Sequence, residues 1–547
     1  MPNSKKEEPK RKNKTIKILA KILAGLFIFI ILLILFIRSP WGQGIIVDKV
    51  TNSISNKTNT KIEIEKLFIS FGGNINLEGL YLEDQKGDTL IYSSSLEASL
   101  PLWPIIKGDG ISVNFVDWEG LRANVIRKDS VDGFNYQFLL DAYATSDPNA
   151  TSAQDTTATT NIKIGKLNFR NFDLTFKDDV SGIDSKLKMD RLNLEMEETD
   201  LDNMKFHISN AQLANTSIYY NQIKPLPESE DTDAPLPFLI VDRIQLEDVN
   251  VNYASKPDGI LSILDIGEFI AGSAEINLNN NLIAIDEILL NNSEVLVETT
   301  TIEKEIQLTE DSAGNQEFEW PEWTVNVNTI ALENNNFSYF SDGAKVEKGI
   351  FNPDAIVLKD LNFSAENLYF VEETVGIGLN KLNFTEASGY VLKEFAFALN
   401  LDENSLDLDG LKVHLNENKL QGAVALEYNS VQELINNPEN SQIKAELNTI
   451  NFWLRDLFPF QPELKKNKYL LELSNKVLTG NIKFDGSLTS LEIPSANFKW
   501  GQNTALSATG ILENPMDPEN LKFNFPSFKF SSLYAEVITP SPFSISP

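Results

Sequence analysis

Apolar and polar residues alternate along most of this chain, and in one stretch the alternation follows a rule that comes back. Counting from Ile164 as zero, apolar residues sit at positions 0, 3, 5, 10 and 12 (Ile164, Leu167, Phe169, Leu174, Phe176), with Asn171 at position 7. The same arrangement recurs from Ile208 (with Asn215), Val241 (Asp248), Ile285 (Asn292) and Val327 (Asn334), so the five copies start 44, 33, 44 and 42 residues apart. For a chain with 42% apolar residues, roughly one such match is expected by chance in ~500 windows. Five at near-even spacing are a degenerate repeat.

Each copy predicts two short strands and a break. Leu167 and Phe169 alternate with polar residues, as do Leu174 and Phe176, which is the period of a half-buried strand. Parity switches between the two pairs. A turn or bulge near Asn171 restores one shared apolar side, and Asn or Asp tolerates the left-handed backbone that such breaks need.

In chain order, residues 1–17 read as a basic tail and Ile18 to Ile37 as an apolar run interrupted only by Lys21. At 1.5 Å per residue the run matches a bilayer core of ~30 Å, and Lys21 can snorkel to the headgroups. It is longer than a signal-peptide core and is followed by Arg38-Ser-Pro-Trp41 rather than small residues, which predicts an uncleaved transmembrane helix. The basic flank should stay in the cytoplasm, sending the rest across the membrane. Residues 41–58, with Ile46, Val47, Val50 and Ile54 at helical spacing, predict a membrane-proximal amphipathic helix. From Lys61 the period becomes two, with hairpin signals at Gly72-Gly73 and Gly87-Asp88. Short helices are expected over Phe134–Tyr143, Ser430–Asn436 and Glu463–Lys476. Residues 144–161 and 224–237, poor in apolar side chains, read as loop insertions within one β architecture covering 59–547. The last residues, Pro540 to Pro547, resemble neither a cap nor a finished strand, so a longer natural chain is expected.

Charge and composition narrow the function. The net charge is −31, although residues 1–38 carry nine Lys or Arg against two Glu. An acidic body of this size repels nucleic acid, so no nucleic-acid partner is expected. Cysteine is absent, which excludes disulfides, thiolate metal sites and thiol catalysis. His207 and His414 are the only imidazoles, both in strand-like sequence. Neither a nucleophile elbow, a phosphate loop nor a His-Glu-x-x-His motif is found, and Asp402 to Gly410 lacks calcium-loop spacing, reading instead as a solvated acidic turn. The expectation is a protein that is not an enzyme and uses no cofactor or metal.

Several of these stretches together resemble a known family. The basic tail, the single anchor, Ser39-Pro-Trp-Gly-Gln43, the amphipathic helix, Ile62-Glu-Ile-Glu-Lys-Leu67 and Leu77-Glu-Gly-Leu-Tyr-Leu82 are similar to the N-terminal portion of the TamB branch of AsmA-like envelope proteins. Gly87-Asp-Thr-Leu-Ile-Tyr92 and Gly133-Phe-Asn-Tyr-Gln-Phe-Leu139 resemble its Bacteroidetes variant. The likeness is strongest over residues 1–140. It implies an inner-membrane anchor bearing a long, twisted, gutter-shaped β-groove in the periplasm that conducts phospholipids toward the outer membrane. It also implies, as an alternative, a scaffold working with a partner in outer-membrane β-barrel assembly. The family offers no catalytic motif to carry over, and its C-terminal domain is not found here.

The fold expected is therefore mainly β, an elongated repeating groove with a few short helices. The candidate site is its apolar side: Leu167, Phe169, Leu174, Phe176, Ile244, Leu246, Val251, Tyr253, Ile330, Leu332, Phe337 and Tyr339. These residues would line a lipid path or form the core of a closed sandwich or solenoid. The scarcity of covering helices, the anchored topology and the resemblance favour the path. About thirty strands at ~4.8 Å would reach roughly 150 Å, several bilayer cores.

Overall fold

The computed structural model describes Phe36 and residues 39–70, 74–100, 111–143, 162–226, 235–302, 318–515, 517 and 519–533. The predicted basic tail lies outside them, as do the transmembrane helix apart from Phe36, loop 144–161 and residues 227–234 of the second insertion. Among the described residues no helix is long and apolar enough to cross a membrane. The protein is mainly β, and its chain divides into two compact units, residues 1–176 and 177–547.

The first unit opens with helix α1 (Pro40–Thr58). Ser39 caps it, accepting from the Gly42 N–H at 3.0 Å, and Asn59 ends it in the left-handed conformation. Val47, Thr51, Ile54 and Thr58 turn inward, whereas Val50 is exposed with Trp41 and Ile45. The apolar stripe expected to include Val50 is thus split between two faces. Strands β1 (Ile62–Glu63) and β2 (Lys66–Ile69) both pair with β3 (Asn74–Glu83), followed by β4 (Thr89–Ser99) and β5 (Ile111–Glu119) in antiparallel order. β6 (Arg122–Arg127) also joins β4, and β7 (Ile162–Asp178) runs parallel to β5. Helix α2 (Gln137–Tyr143), within the predicted range, places Phe138 against Leu82 and Leu90, the small core of this unit.

Among the described residues, seventeen strands form the second unit. They are β8 (Ile183–Asp200), β9 (Lys205–Gln222), β10 (Phe238–Ser255), β11 (Ile260–Asn277), β12 (Leu282–Asn291), β13 (Glu294–Thr299), β14 (Thr324–Ser341), β15 (Ala355–Val371) and β16 (Thr374–Glu386). The shorter β17 (Val391–Leu401), β18 (Ser405–Leu415), β19 (Asn418–Glu427), β20 (Gln442–Phe452), β21 (Leu478–Ser487), β22 (Ser490–Trp500), β23 (Thr504–Glu513) and β24 (Lys522–Ser531) follow. Pairing follows chain order and is antiparallel throughout, except that β9 and β10 are parallel and β12 and β13 lie parallel to β14. A parallel join needs a connection that returns the chain to the end it started from. The joins from β9 to β10 and from β13 to β14 are of this kind, and residues 227–234 and 303–317 of their connections lie outside the described residues. The predicted C-terminal helices appear as α3 (Val431–Asn436), capped by Ser430, and as a 3-10 turn (Pro462–Lys466) with α4 (Lys468–Leu473), divided at Asn467.

The predicted breaks fall at the expected residues. Asn171, Asn215, Asp248, Asn292 and Asn334 have φ of 55°, 48°, 51°, 51° and 55°. They interrupt long strands rather than dividing pairs of short ones, since β7, β9, β10 and β14 run straight through. Only at Asn292 do two strands result, β12 and β13. In the second unit the breaks line up from strand to strand. Asn215 meets Asp190 (Nδ2 to Oδ2, 3.2 Å), Asp248 lies level with Asn215, and on β11 the level residue is Gly267. A Cβ on Gly267 would stand 2.5 Å from the Asn292 carbonyl oxygen. A second line, not anticipated, crosses near position 1, where Ser273 and Asn367 take left-handed φ (45° and 52°) opposite Asp242 and Asn328. It explains why positions 0 and 3, an odd distance apart, share a side.

Candidate functional site

Register converts the repeat into continuous rows. Position 5 of the Val241 copy, Leu246, pairs with Leu213 on one side and Phe269 on the other. The row extends through Leu192 at β8 and through Leu290, Leu332 and Phe363 to β15. It continues by Leu382, Phe395, Val413, Leu420 and Ile450, meets Gly480, and resumes with Phe498, Leu506 and Phe530 at β24. Its only non-apolar member is therefore a glycine. A second row runs from Phe206 on β9 to Phe523 on β24 and is interrupted only by Gly486. Such rows run along the hydrogen-bonding direction, at about 4.8 Å per strand.

Eight of the twelve predicted residues meet in these and neighbouring rows of the second unit. Ile244 and Ile330 belong to the row Ala211, Ile244, Ala271, Ile288, Ile330, Ala365. Val251 and Phe337 share a row with Ile218, Leu264, Val295 and Leu358, and Tyr253 stacks on Tyr220 at 5.4 Å. Tyr339 faces Val297 and Ile356. The other four lie in the first unit. Phe169 belongs to the row Leu67, Leu77, Leu96, Trp118, Phe169, and Leu167 to the row Ile69, Ile75, Ala98, Val116, Leu167. Phe176 lies 5.9 Å from Phe134, and Leu174 is on the same strand. All twelve are half-buried: none reaches the burial of a covered core, and none is fully exposed.

Val241 and Val327 are fully buried at position 0, but the position buried in every copy of the repeat is one the pattern missed. Position 8, next to the left-handed residue, is Phe172, Thr216, Val249, Ser293 or Asn335, with exposures of 6%, 3%, 3%, 2% and 3%. It has no common polarity, so a hydrophobic template cannot find it; its adjacency to the predicted break is the usable signal. Phe172 stacks on Phe169 at 5.0 Å, so positions 5 and 8 meet on the apolar side. Where position 8 is polar, its side chain replaces ladder bonds lost at the break. Asn335 Oδ1 accepts from the Ser293 N–H and its Nδ2 donates to the Leu290 carbonyl, both at 2.8 Å. Ser293 Oγ accepts from the Gly267 N–H at 3.2 Å.

Ionic groups keep to the opposite side and the rims. Arg170 pairs with Asp117 and Glu119 (2.9 and 3.1 Å), Lys483 with Glu446 (2.7 Å), and His207 lies 3.0 Å from Asp242. At one strand-end rim Trp320 lies 6.1 Å from Phe370 and donates its Nε1–H to Glu403 at 2.6 Å. At another, Tyr390 packs between Phe351 and Phe460, and burial pushes its phenol up to about 12, helped by Asp456 and Glu386. Asp402 forms a hairpin turn, accepting from the Asn404 N–H at 2.8 Å, which holds its carboxyl below the usual range; the rest of the acidic stretch is strand β18. Two open hollows of about 320 and 330 Å³ lie along the long row and share Leu478 and Phe498 as walls. Such a surface can hold hydrocarbon, and it carries no convergent polar groups for bond chemistry. Compared with protein-family models and with curated proteins, the chain matches none.

Proposed function

We propose that the apolar side of this sheet is a conduit for phospholipid acyl chains, in an envelope protein of the AsmA-like type. On this reading residues 18–37 anchor it in the inner membrane, and the β-structure stands in the periplasm and passes lipid toward the outer membrane. The observation that carries the proposal is the unbroken row from Leu192 to Phe530, apolar at every strand but one and half-buried throughout its length up to the exposed Phe530. A closed sandwich would bury such positions fully. Burial along the aligned breaks fits this reading: position 8 residues and, at position 0, Val241 and Val327 (4% and 5% exposed) would be shielded if the facets bend toward the apolar side there. A sheet folded toward its apolar side along two parallel lines is a trough. Hydrocarbon in water costs on the order of 0.8 kcal/mol per CH₂, and a continuous trough removes most of that cost without covalent chemistry. The exposed Trp41 and Ile45 at the start of α1 suit a helix resting at the membrane interface.

The test is photo-crosslinking in membranes. A crosslinker at Phe169, Val251, Phe269 or Phe337 is expected to capture phospholipid, and one at the polar alternates Asn168 or Gln245 is not. Equal labelling of both sets would refute the conduit. A second reading, a scaffold for unfolded outer-membrane β-strands, draws on β24, which pairs with β23 and exposes Phe523, Phe528 and Phe530. Crosslinks from Phe528 to protein, with none to lipid from the rows, would favour it.

A further inference from the structure

The connection between β20 and β21 is longer than those around it. The hairpins β17–β18, β18–β19, β21–β22 and β22–β23 close in two or three residues and β19–β20 in fourteen, whereas the 25 residues 453–477 leave the sheet and build two 3-10 turns (Leu454–Leu457 and Pro462–Lys466) and α4 before returning. The excursion is fixed at its base. Phe458 is buried, the Phe351 N–H donates to the Pro459 carbonyl at 3.0 Å, and Trp500 Nε1–H donates to the Leu473 carbonyl at 3.2 Å. Its outer part leaves Tyr469, Leu471 and Leu473 exposed, while Leu457 and Phe460 are exposed nearer the base, Phe460 with one side against Tyr390 and Phe351. Among them stand Arg455, Lys465, Lys466, Lys468 and Lys476 against Asp456, Glu463 and Glu472, a basic excursion on a chain of net charge −31.

We infer that this excursion docks on the surface of an anionic phospholipid bilayer. Charge selects the partner, because the acidic remainder of the β-structure repels an anionic surface and favours contact through this basic, apolar projection. Side-chain chemistry selects lipid over an acidic protein. Leucines and a tyrosine interleaved with lysines suit a headgroup boundary, where aliphatic stems bury and ammonium groups stay among phosphates. Arg455 and Lys476 already lie over the Trp453 and Trp500 rings (4.1 and 4.4 Å), and Lys466 pairs with Glu463, so Lys465 and Lys468 are the foremost contacts. The inference does not depend on what the apolar rows carry.

The absence of native cysteine permits a single reporter. The full chain with Leu471→Cys, labelled with an environment-sensitive fluorophore and held in phosphatidylcholine nanodiscs, is titrated with vesicles. Vesicles of phosphatidylcholine with phosphatidylglycerol are expected to shift the emission to the blue, and pure phosphatidylcholine is not. Reversing Lys465, Lys466 and Lys468 to Glu should weaken the response on the order of 100-fold, while lipid crosslinking at Phe269 is retained. No response to either vesicle, an equal response to both, or a response to unlabelled protein or polyglutamate without vesicles would each overturn it.

Discussion

A left-handed residue at a strand break is tolerated where its side chain is short and polar or absent, and Asn292, between β12 and β13, meets that condition with φ of 51°. Asn292→Val is expected to lower stability by about 1–2 kcal/mol, and Asn292→Gly by less, as read from urea midpoints of the two variants. Beside it, Asn335 holds the Ser293 N–H and the Leu290 carbonyl. Asn335→Ala takes the acceptor from the buried Ser293 N–H and a donor from the Leu290 carbonyl, so roughly 2 kcal/mol should be lost in the same measurement. Asp456 sits on the opposite side of the ledger of charge. Burial raises its carboxyl, against Arg455 and the Asn418 amide, which donates to it at 2.7 Å. Its folded state therefore holds the proton more tightly than the unfolded chain. That contribution is present below the ordinary carboxylate value and is lost as pH rises through the folded one. Asp456→Asn keeps an acceptor for Asn418, so its Tm should exceed that of the parent at pH 7, with the gap closing toward about pH 4.

At the scale of strands, the distinction is between a facet and a corner. Phe269 lies half-buried in the long row, where an arginine can lay its stem along the apolar surface and raise its charge to water; Val249 is 3% exposed at a corner, where it cannot. Phe269→Arg is expected to cost under about 1 kcal/mol and, on the proposed conduit reading, to block lipid passage, and Val249→Arg to cost roughly 3 kcal/mol or more. Equal thermal losses in the two would speak for a closed core. Much of this was legible from the alternation: the strands, five break residues and twelve facet residues follow from period two and an Asn or Asp at position 7. Position 8 was not, because its side chains range from Phe172 to Asn335 and share only a location. The line through Ser273 and Asn367 escaped because its left-handed residues sit on β11 and β15, the antiparallel partners, which lie outside the repeat. The parallel joins of β9 to β10 and of β13 to β14 carry no signal of direction in one strand alone; parallel pairing is a property of two.

For the molecule as a whole, charge acts against compactness. With a net −31, self-repulsion is long-ranged at low ionic strength, where the Debye length is ~30 Å, and short-ranged near 8 Å at physiological salt. Raising salt from about 10 to 150 mM should therefore raise the Tm, and a fall would mean that ion pairs such as Lys483–Glu446 outweigh the repulsion. Pairing between neighbours in sequence has a further consequence, for the order of assembly. From β14 onward each strand finds its partner in the segment just made, so little loop entropy separates one pairing from the next, and the sheet can lengthen from a growing edge while the chain is still being synthesised. The joins of β9 to β10 and of β13 to β14 differ, because the edge must wait for a whole crossover to arrive before it can advance.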